Sequence, residues 1–136
     1  MTTPERKDLN NRANINQLVN TFYAKVRADE MLGPIFNQVI QDWPAHLKRL
    51  TDFWERTLLS HKVYKGNPIA AHNKVDEEMG NSITMVHFGR WLQLWFSTID
   101  ENFEGENATL AKHRARKMST LMFLAIFNNR KAARTQ

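Results

Sequence analysis

The chain has 136 residues, of which 42% are hydrophobic and 24% charged, the composition of one ordinary globular domain. It contains no cysteine, which excludes disulfides, Cys-ligated zinc, iron–sulfur clusters and thiol nucleophiles. No apolar run approaches the roughly 20 residues that span a bilayer, and the N-terminus lacks the apolar region of a secretory signal. These features predict a single domain, residues 1–136, in the cytoplasm.

The net charge of +5 is concentrated near the C-terminus. Residues 1–106 carry a balance of −2, whereas residues 107–136 carry +7 because they hold seven basic residues and no acidic one. The pattern predicts a basic last helix. Its cations either face solvent near the helix C-terminus, where the helix dipole favours them, or form an anion site for nucleic acid, an acidic partner or cofactor carboxylates.

Apolar residues recur with helical spacing in five segments, and none alternates with the period of two that marks a strand. Residues 1–13 are expected to form a polar extension before the first helix. Gly33 and Pro34 predict a break after that helix, at the start of residues 29–40. The apolar stripe of the first helix consists of Ile15, Leu18, Val19, Phe22, Tyr23 and Val26.

A second helix is predicted to begin with Asp42 as its N-cap and Pro44 in its first turn. Two apolar arcs run along it, so this helix should pack against something on two sides. The first arc consists of Trp43, Leu47, Leu50, Trp54 and Leu58, and the second of His46, Leu50, Phe53 and Thr57.

Pro68 is predicted to open a short helix that carries His72, followed by a loop at 76–81. Ser82 or Thr84 should cap a long helix with one apolar face. Gly105 ends that helix, and a last helix runs from about residue 107 past 127, with a frayed basic tail at 130–136. The face of the long helix is formed by Phe88, Trp91, Leu92, Trp95, Ile99 and Phe103. Five or six helices with short connections predict an all-α fold.

Common enzyme motifs are absent from the sequence. The five glycines are isolated, which excludes a dinucleotide fingerprint and a phosphate loop. His72 stands next to two alanines that would let a large group approach, and the carbonyl of residue 68 could orient its second ring nitrogen. His46 and Tyr23 lie on apolar stripes. Each of these residues, taken alone, also fits an ordinary core or surface position.

The order of short motifs along the chain resembles that of the truncated haemoglobins, and most closely their group III branch. The matching runs cover about residues 15–125. They are Phe22-Tyr23, the segment 32–36 (LGPIF), His46 with Phe53-Trp54, Gly66-Asn67-Pro68 before His72, and Phe88 with Trp91-Leu92.

This resemblance implies a shortened globin, with two helices over two around one haem b. It implies that His72 is the proximal ligand of a penta-coordinate iron. It also implies a pocket whose distal face holds Tyr23, His46 and Trp91 and whose walls are Phe36, Leu50, Phe53 and Trp54.

Such a pocket would bind O2, NO and CO. Tyr23 and Trp91 each offer one hydrogen-bond donor, which should slow the release of O2, and His46 could add a third donor or act as a gate. We therefore expect ligand sequestration, or redox chemistry on NO or peroxide, rather than O2 delivery. Turnover as an NO dioxygenase or a peroxidase would need an external reductase, because the chain has no room for one. The alternatives are an inert helical bundle and a non-haem module that binds nucleic acid or an acidic partner through its basic last helix.

Overall fold

The computed structural model describes residues 6–59 and 84–134 of the chain. Five α-helices follow one another within these residues: α1 Arg12–Ala28, α2 Gly33–Val39, α3 Trp43–Leu59, α4 Met85–Asn102 and α5 Glu106–Arg134. α1 packs against α3 and α4, and α5 packs against α4 and α3, so one pair of helices lies over the other. The predicted all-α class is confirmed.

The first helix follows its predicted stripe. Asn11 caps it by accepting a hydrogen bond from the Asn14 backbone N–H at 2.9 Å. All six residues of the predicted stripe are buried. The stripe therefore supplies the surface on which α3 and α4 pack.

The segment expected only as a break contains the short helix α2. Proline fixes a backbone angle that suits the first turn of a helix, so Pro34 starts α2 after the chain has turned. Gly33 is required at this turn because a Cβ there would lie 2.6 Å from the Arg27 carbonyl oxygen. The predicted break is therefore correct, but it is brief.

The interior is centred on Trp95 of α4, which is fully buried. Its ring stacks on Trp54 of α3, with centroids 4.6 Å apart, and meets the edge of Phe22 of α1 at 4.9 Å. Its indole N–H donates to the Ala111 carbonyl of α5 at 3.2 Å. Trp95 of α4 thus contacts the other three long helices, and large aromatic side chains of this kind dominate core energetics.

The residues before α1 are packed rather than extended. Leu9 is fully buried. The Asp8 carboxylate accepts hydrogen bonds from the backbone N–H groups of Asn107 and Ala108, at 3.1 and 2.8 Å, and so caps the start of α5. Gly105 has a φ of +126°, and a Cβ at this position would collide with the Asp8 side chain.

The ends of the last two helices refine the sequence predictions. Thr84 is the N-cap of α4, as expected, and its N–H donates to His87 Nδ1 at 2.9 Å. α5 begins at Glu106 and continues to Arg134.

None of the helices in the described ranges combines the length and the apolar character that crossing a bilayer requires. The helix expected to begin at Pro68, the loop at 76–81 and the alternative cap Ser82 lie outside the described residues.

Candidate functional site: an aromatic cluster at Tyr23 and His46

Tyr23 and His46 come together where α1 packs on α3. Their ring centroids are 5.8 Å apart and the rings are nearly perpendicular, at 88°. Phe36 of α2 meets the edge of the Tyr23 ring at 6.0 Å. Tyr23 is 5% exposed and His46 is half-buried, so both predicted distal residues line one interior region.

Burial controls the ionisation of Tyr23. It raises the pKa of the Tyr23 hydroxyl well above its ordinary value, and the nearby indole N–H of Trp91 offsets this shift only in part. The phenol therefore stays protonated across the physiological range. A protonated phenol keeps its O–H available as a hydrogen-bond donor.

Trp91 brings a second donor to this region from α4. Its side chain is 7% exposed and meets the edge of Phe22 at 5.3 Å. The indole N–H is buried and has no hydrogen-bond partner of ordinary geometry among the described residues, although it lies close enough to Tyr23 to affect the pKa of the phenol. An indole nitrogen can only donate, and burying such a donor unpaired costs about 1–3 kcal/mol.

The two predicted arcs of α3 differ in burial. On the first arc Trp43, Trp54 and Leu58 are buried in the core. Every member of the second arc is only half-buried, namely His46, Leu50, Phe53 and Thr57. An apolar arc left partly uncovered at helical spacing is typical of the wall of a binding site.

The other predicted wall residues divide in the same way. Phe36, Leu50 and Phe53 are partly buried and pack against the core from outside. Trp54 is 2% exposed and stacks on Trp95, so it supports the wall from behind. His72, the predicted metal ligand, lies outside the described residues.

Sequence reasoning overlooked Trp43 as a residue of this site. Its ring lies 6.0 Å from that of Tyr23 and 5.6 Å from that of His46. The available signal was its spacing, since Trp43 stands three residues before His46 on a predicted helix and hence on the same side of it.

An ion pair fixes α4 beside this region. Arg90, the neighbour of Trp91, donates from Nε to Asp29 at 2.7 Å. Partial burial is the largest single influence on the Asp29 carboxyl and raises its pKa. Hydrogen bonds from the Leu32 N–H, Arg90 and the Met31 N–H together outweigh this influence and hold the pKa below its ordinary value.

The chain resembles known haemoglobins in sequence and in structure. No family model matches the chain. A group 3 truncated haemoglobin, ctb, of Campylobacter jejuni is 29% identical over 114 residues, which cover 81% of this chain and 86% of that protein. The crystal structure of a group III truncated haemoglobin from Campylobacter jejuni superposes with a TM-score of 0.79 at 27% identity, covering 90% of this chain and 95% of that one.

In sequence and in fold the chain is similar to the group III truncated haemoglobins. Its two pairs of helices are those of the two-over-two globin fold. This similarity implies a haem iron as cofactor and small diatomic gases such as O2 as ligands.

The residues of this site fit a haem. A haem needs an apolar slot with a few donors on its ligand side. The half-buried arc of α3 with Phe36 supplies apolar wall, and the unpartnered Trp91 N–H with the protonated Tyr23 supplies donors.

Proposed function

We propose that this protein is a group III truncated haemoglobin that binds one haem b through His72, at a penta-coordinate iron, and retains small diatomic ligands rather than delivering O2. The haem, when bound, supplies the iron at which one diatomic molecule coordinates. Phe36, Leu50 and Phe53 would hold the macrocycle by apolar contact, with Trp54 behind them.

The unpartnered indole N–H of Trp91 is the observation that carries this proposal. A buried donor without a partner is rare in native proteins, because its desolvation is not repaid. A polar ligand beside it would repay that cost. Tyr23 would donate a second hydrogen bond from its protonated hydroxyl, and His46 lies close enough to Tyr23 to add a third or to gate entry.

Two such donors favour slow release of O2. At about 0.5–1.5 kcal/mol each, two such bonds correspond to a fall in the rate of dissociation of about five- to 150-fold. Slow release suits ligand sequestration, or redox chemistry on NO or peroxide with electrons from an external donor. It does not suit O2 delivery, which requires easy release.

Visible absorption spectra test the proposal. The wild-type protein, His72→Ala and His113→Ala are loaded with haem and compared in ferric, ferrous and CO-bound forms. His113 is an exposed histidine on α5 and provides the matched control. We expect His72→Ala to lose or shift the Soret band and to release haem faster, whereas His113→Ala should match the wild type.

Absence of stoichiometric haem binding by the wild-type protein would refute this proposal. The alternative would then be a non-haem module that binds nucleic acid or an acidic partner through α5. Its mark would be an affinity that falls steeply with salt.

A further inference from the structure

Arg27 of α1 and Trp43 of α3 contact each other next to Tyr23 and His46. Arg27 stands one turn after Tyr23 on α1, and Trp43 stands one turn before His46 on α3. The guanidinium carbon of Arg27 lies 4.5 Å from the centroid of the Trp43 ring. This cation–π contact joins α1 to α3 directly outside the predicted ligand site.

Trp43 also contacts both predicted distal residues, His46 and Tyr23. Its ring is perpendicular to that of His46 at 5.6 Å and tilted by 50° to that of Tyr23 at 6.0 Å. It is 9% exposed, so its position is set by these neighbours and by Arg27 rather than by solvent. A shift of the Trp43 ring therefore frees space beside His46 and Tyr23.

Arg27 is itself held in place by α2. Its Nε donates to Asn37 Oδ1 at 3.3 Å, and Asn37 Nδ2 donates to the Arg27 carbonyl at 3.1 Å. An exposed arginine that is anchored at both its backbone and its side chain loses less conformational freedom in covering a ring. The anchoring favours a preformed contact over a transient one.

We infer that Arg27 and Trp43 are positioning residues that hold His46 and Tyr23 in a closed arrangement and thereby limit the entry of diatomic ligands. This inference rests on the proposed function, since it assigns a control of access to the same site. It predicts that removing the cation increases the population of open pockets.

The test compares Arg27→Met with Lys25→Met in the haem-loaded protein. Both substitutions remove one cation from the last turn of α1, but Lys25 pairs with Glu101 at 2.8 Å and contacts no ring of the site. We expect Arg27→Met to raise the association rate constant of CO about two- to tenfold. Lys25→Met should leave it unchanged, and Arg27→Lys should restore most of the wild-type rate.

A second readout does not depend on ligand binding. The chain has four tryptophans, so labelling with 5-fluorotryptophan gives four ¹⁹F resonances, and Trp43→Phe identifies the one from Trp43. That resonance should shift or broaden in Arg27→Met and stay in place in Lys25→Met. Arg27→Gln, which keeps a polar group beside Asn37, provides a second variant if Arg27→Met folds poorly.

Equal effects of Arg27→Met and Lys25→Met on both readouts, or no effect of either, would overturn the inference while leaving the proposed function intact. Failure of the wild-type protein to bind haem and CO would instead overturn the proposed function.

Discussion

Trp91 and Trp95 stand one turn apart on α4, stack at 5.8 Å with only 6° between their planes, and both meet Phe22. They differ in the hydrogen bonding of the indole N–H. The Trp95 indole N–H is paired with the Ala111 carbonyl, whereas the Trp91 N–H has no partner of ordinary geometry in the described part of the chain. Tryptophan stabilises the core at position 95 and leaves a donor for a ligand at position 91. Both side chains are buried, so hydrogen bonding distinguishes the core from the candidate site better than burial does.

Removing the Tyr23 hydroxyl, which lies near Trp91, should give the largest effect on the release of O2. We expect Tyr23→Phe to raise the dissociation rate of O2 about ten- to a hundredfold, because the donor is lost in a dry environment. CO gains less charge on binding and accepts hydrogen bonds poorly, so its dissociation rate provides the control. Stopped-flow kinetics measure both rates, and an unchanged O2 rate would remove Tyr23 from the distal role.

The next largest effect should be a difference between Trp91 and Trp95 in the release of O2. Trp91→Phe removes the unpaired N–H and should raise the O2 dissociation rate about five- to tenfold, the effect of one neutral donor. Trp95→Phe removes an N–H that the core already uses, so we expect its rate to stay within about twofold of wild type. Equal effects from the two variants would break the distinction between them.

The same two substitutions should affect the free energy of unfolding in the opposite order. Both substitutions shrink the side chain equally, but only Trp95→Phe also breaks a buried hydrogen bond. We expect Trp95→Phe to lower the free energy of unfolding by about 1 kcal/mol more than Trp91→Phe. Urea unfolding of the haem-free proteins gives this difference, and a larger loss in Trp91→Phe would contradict it.

The smallest effect concerns the Asp29–Arg90 ion pair that holds α4 beside the pocket. Because its pKa in the fold lies below the ordinary 3.8, the Asp29 carboxylate stabilises the fold above pH 3.8. This contribution is lost as the pH falls through the lowered value. Arg90 is 38% exposed, so solvent screens the pair and we expect a contribution of about 1 kcal/mol.

Unfolding free energies measured from about pH 6 down to about pH 3 test this prediction. Asp29→Asn should lose less stability over this range than the wild type does. Asp100→Asn, at an exposed ion pair of Lys112, provides the control. Parallel curves for wild type and Asp29→Asn would show that the pair contributes nothing.

Local patterns in the sequence predicted much of the fold. The stripe of α1, the cap at Asp42, where the carboxylate accepts from the Ala45 N–H at 3.1 Å, and the break at Gly105 all follow from neighbouring residues. The cap that Asp8 provides to α5 could not be predicted, because its partners lie about a hundred residues away. α2 was overlooked since proline both interrupts one helix and begins the next.

The candidate site divides in a similar way. Tyr23, His46 and Trp91 were predicted from resemblance, and the packing of α1 on α3 brings the first two together. The contact of Arg27 with Trp43 was not predicted, because it depends on how two helices meet rather than on either sequence segment. The role of His72 remains a prediction.

The bond between Asp8 and the start of α5 also bears on the order of events during synthesis. The N-terminal part of a chain leaves the ribosome first. Asp8 therefore emerges long before Asn107 and Ala108, whose N–H groups it caps. Likewise, the core in which Leu9 is buried is incomplete until α5 has been made. The nascent chain must therefore carry Asp8 without these partners until the start of α5 has been made.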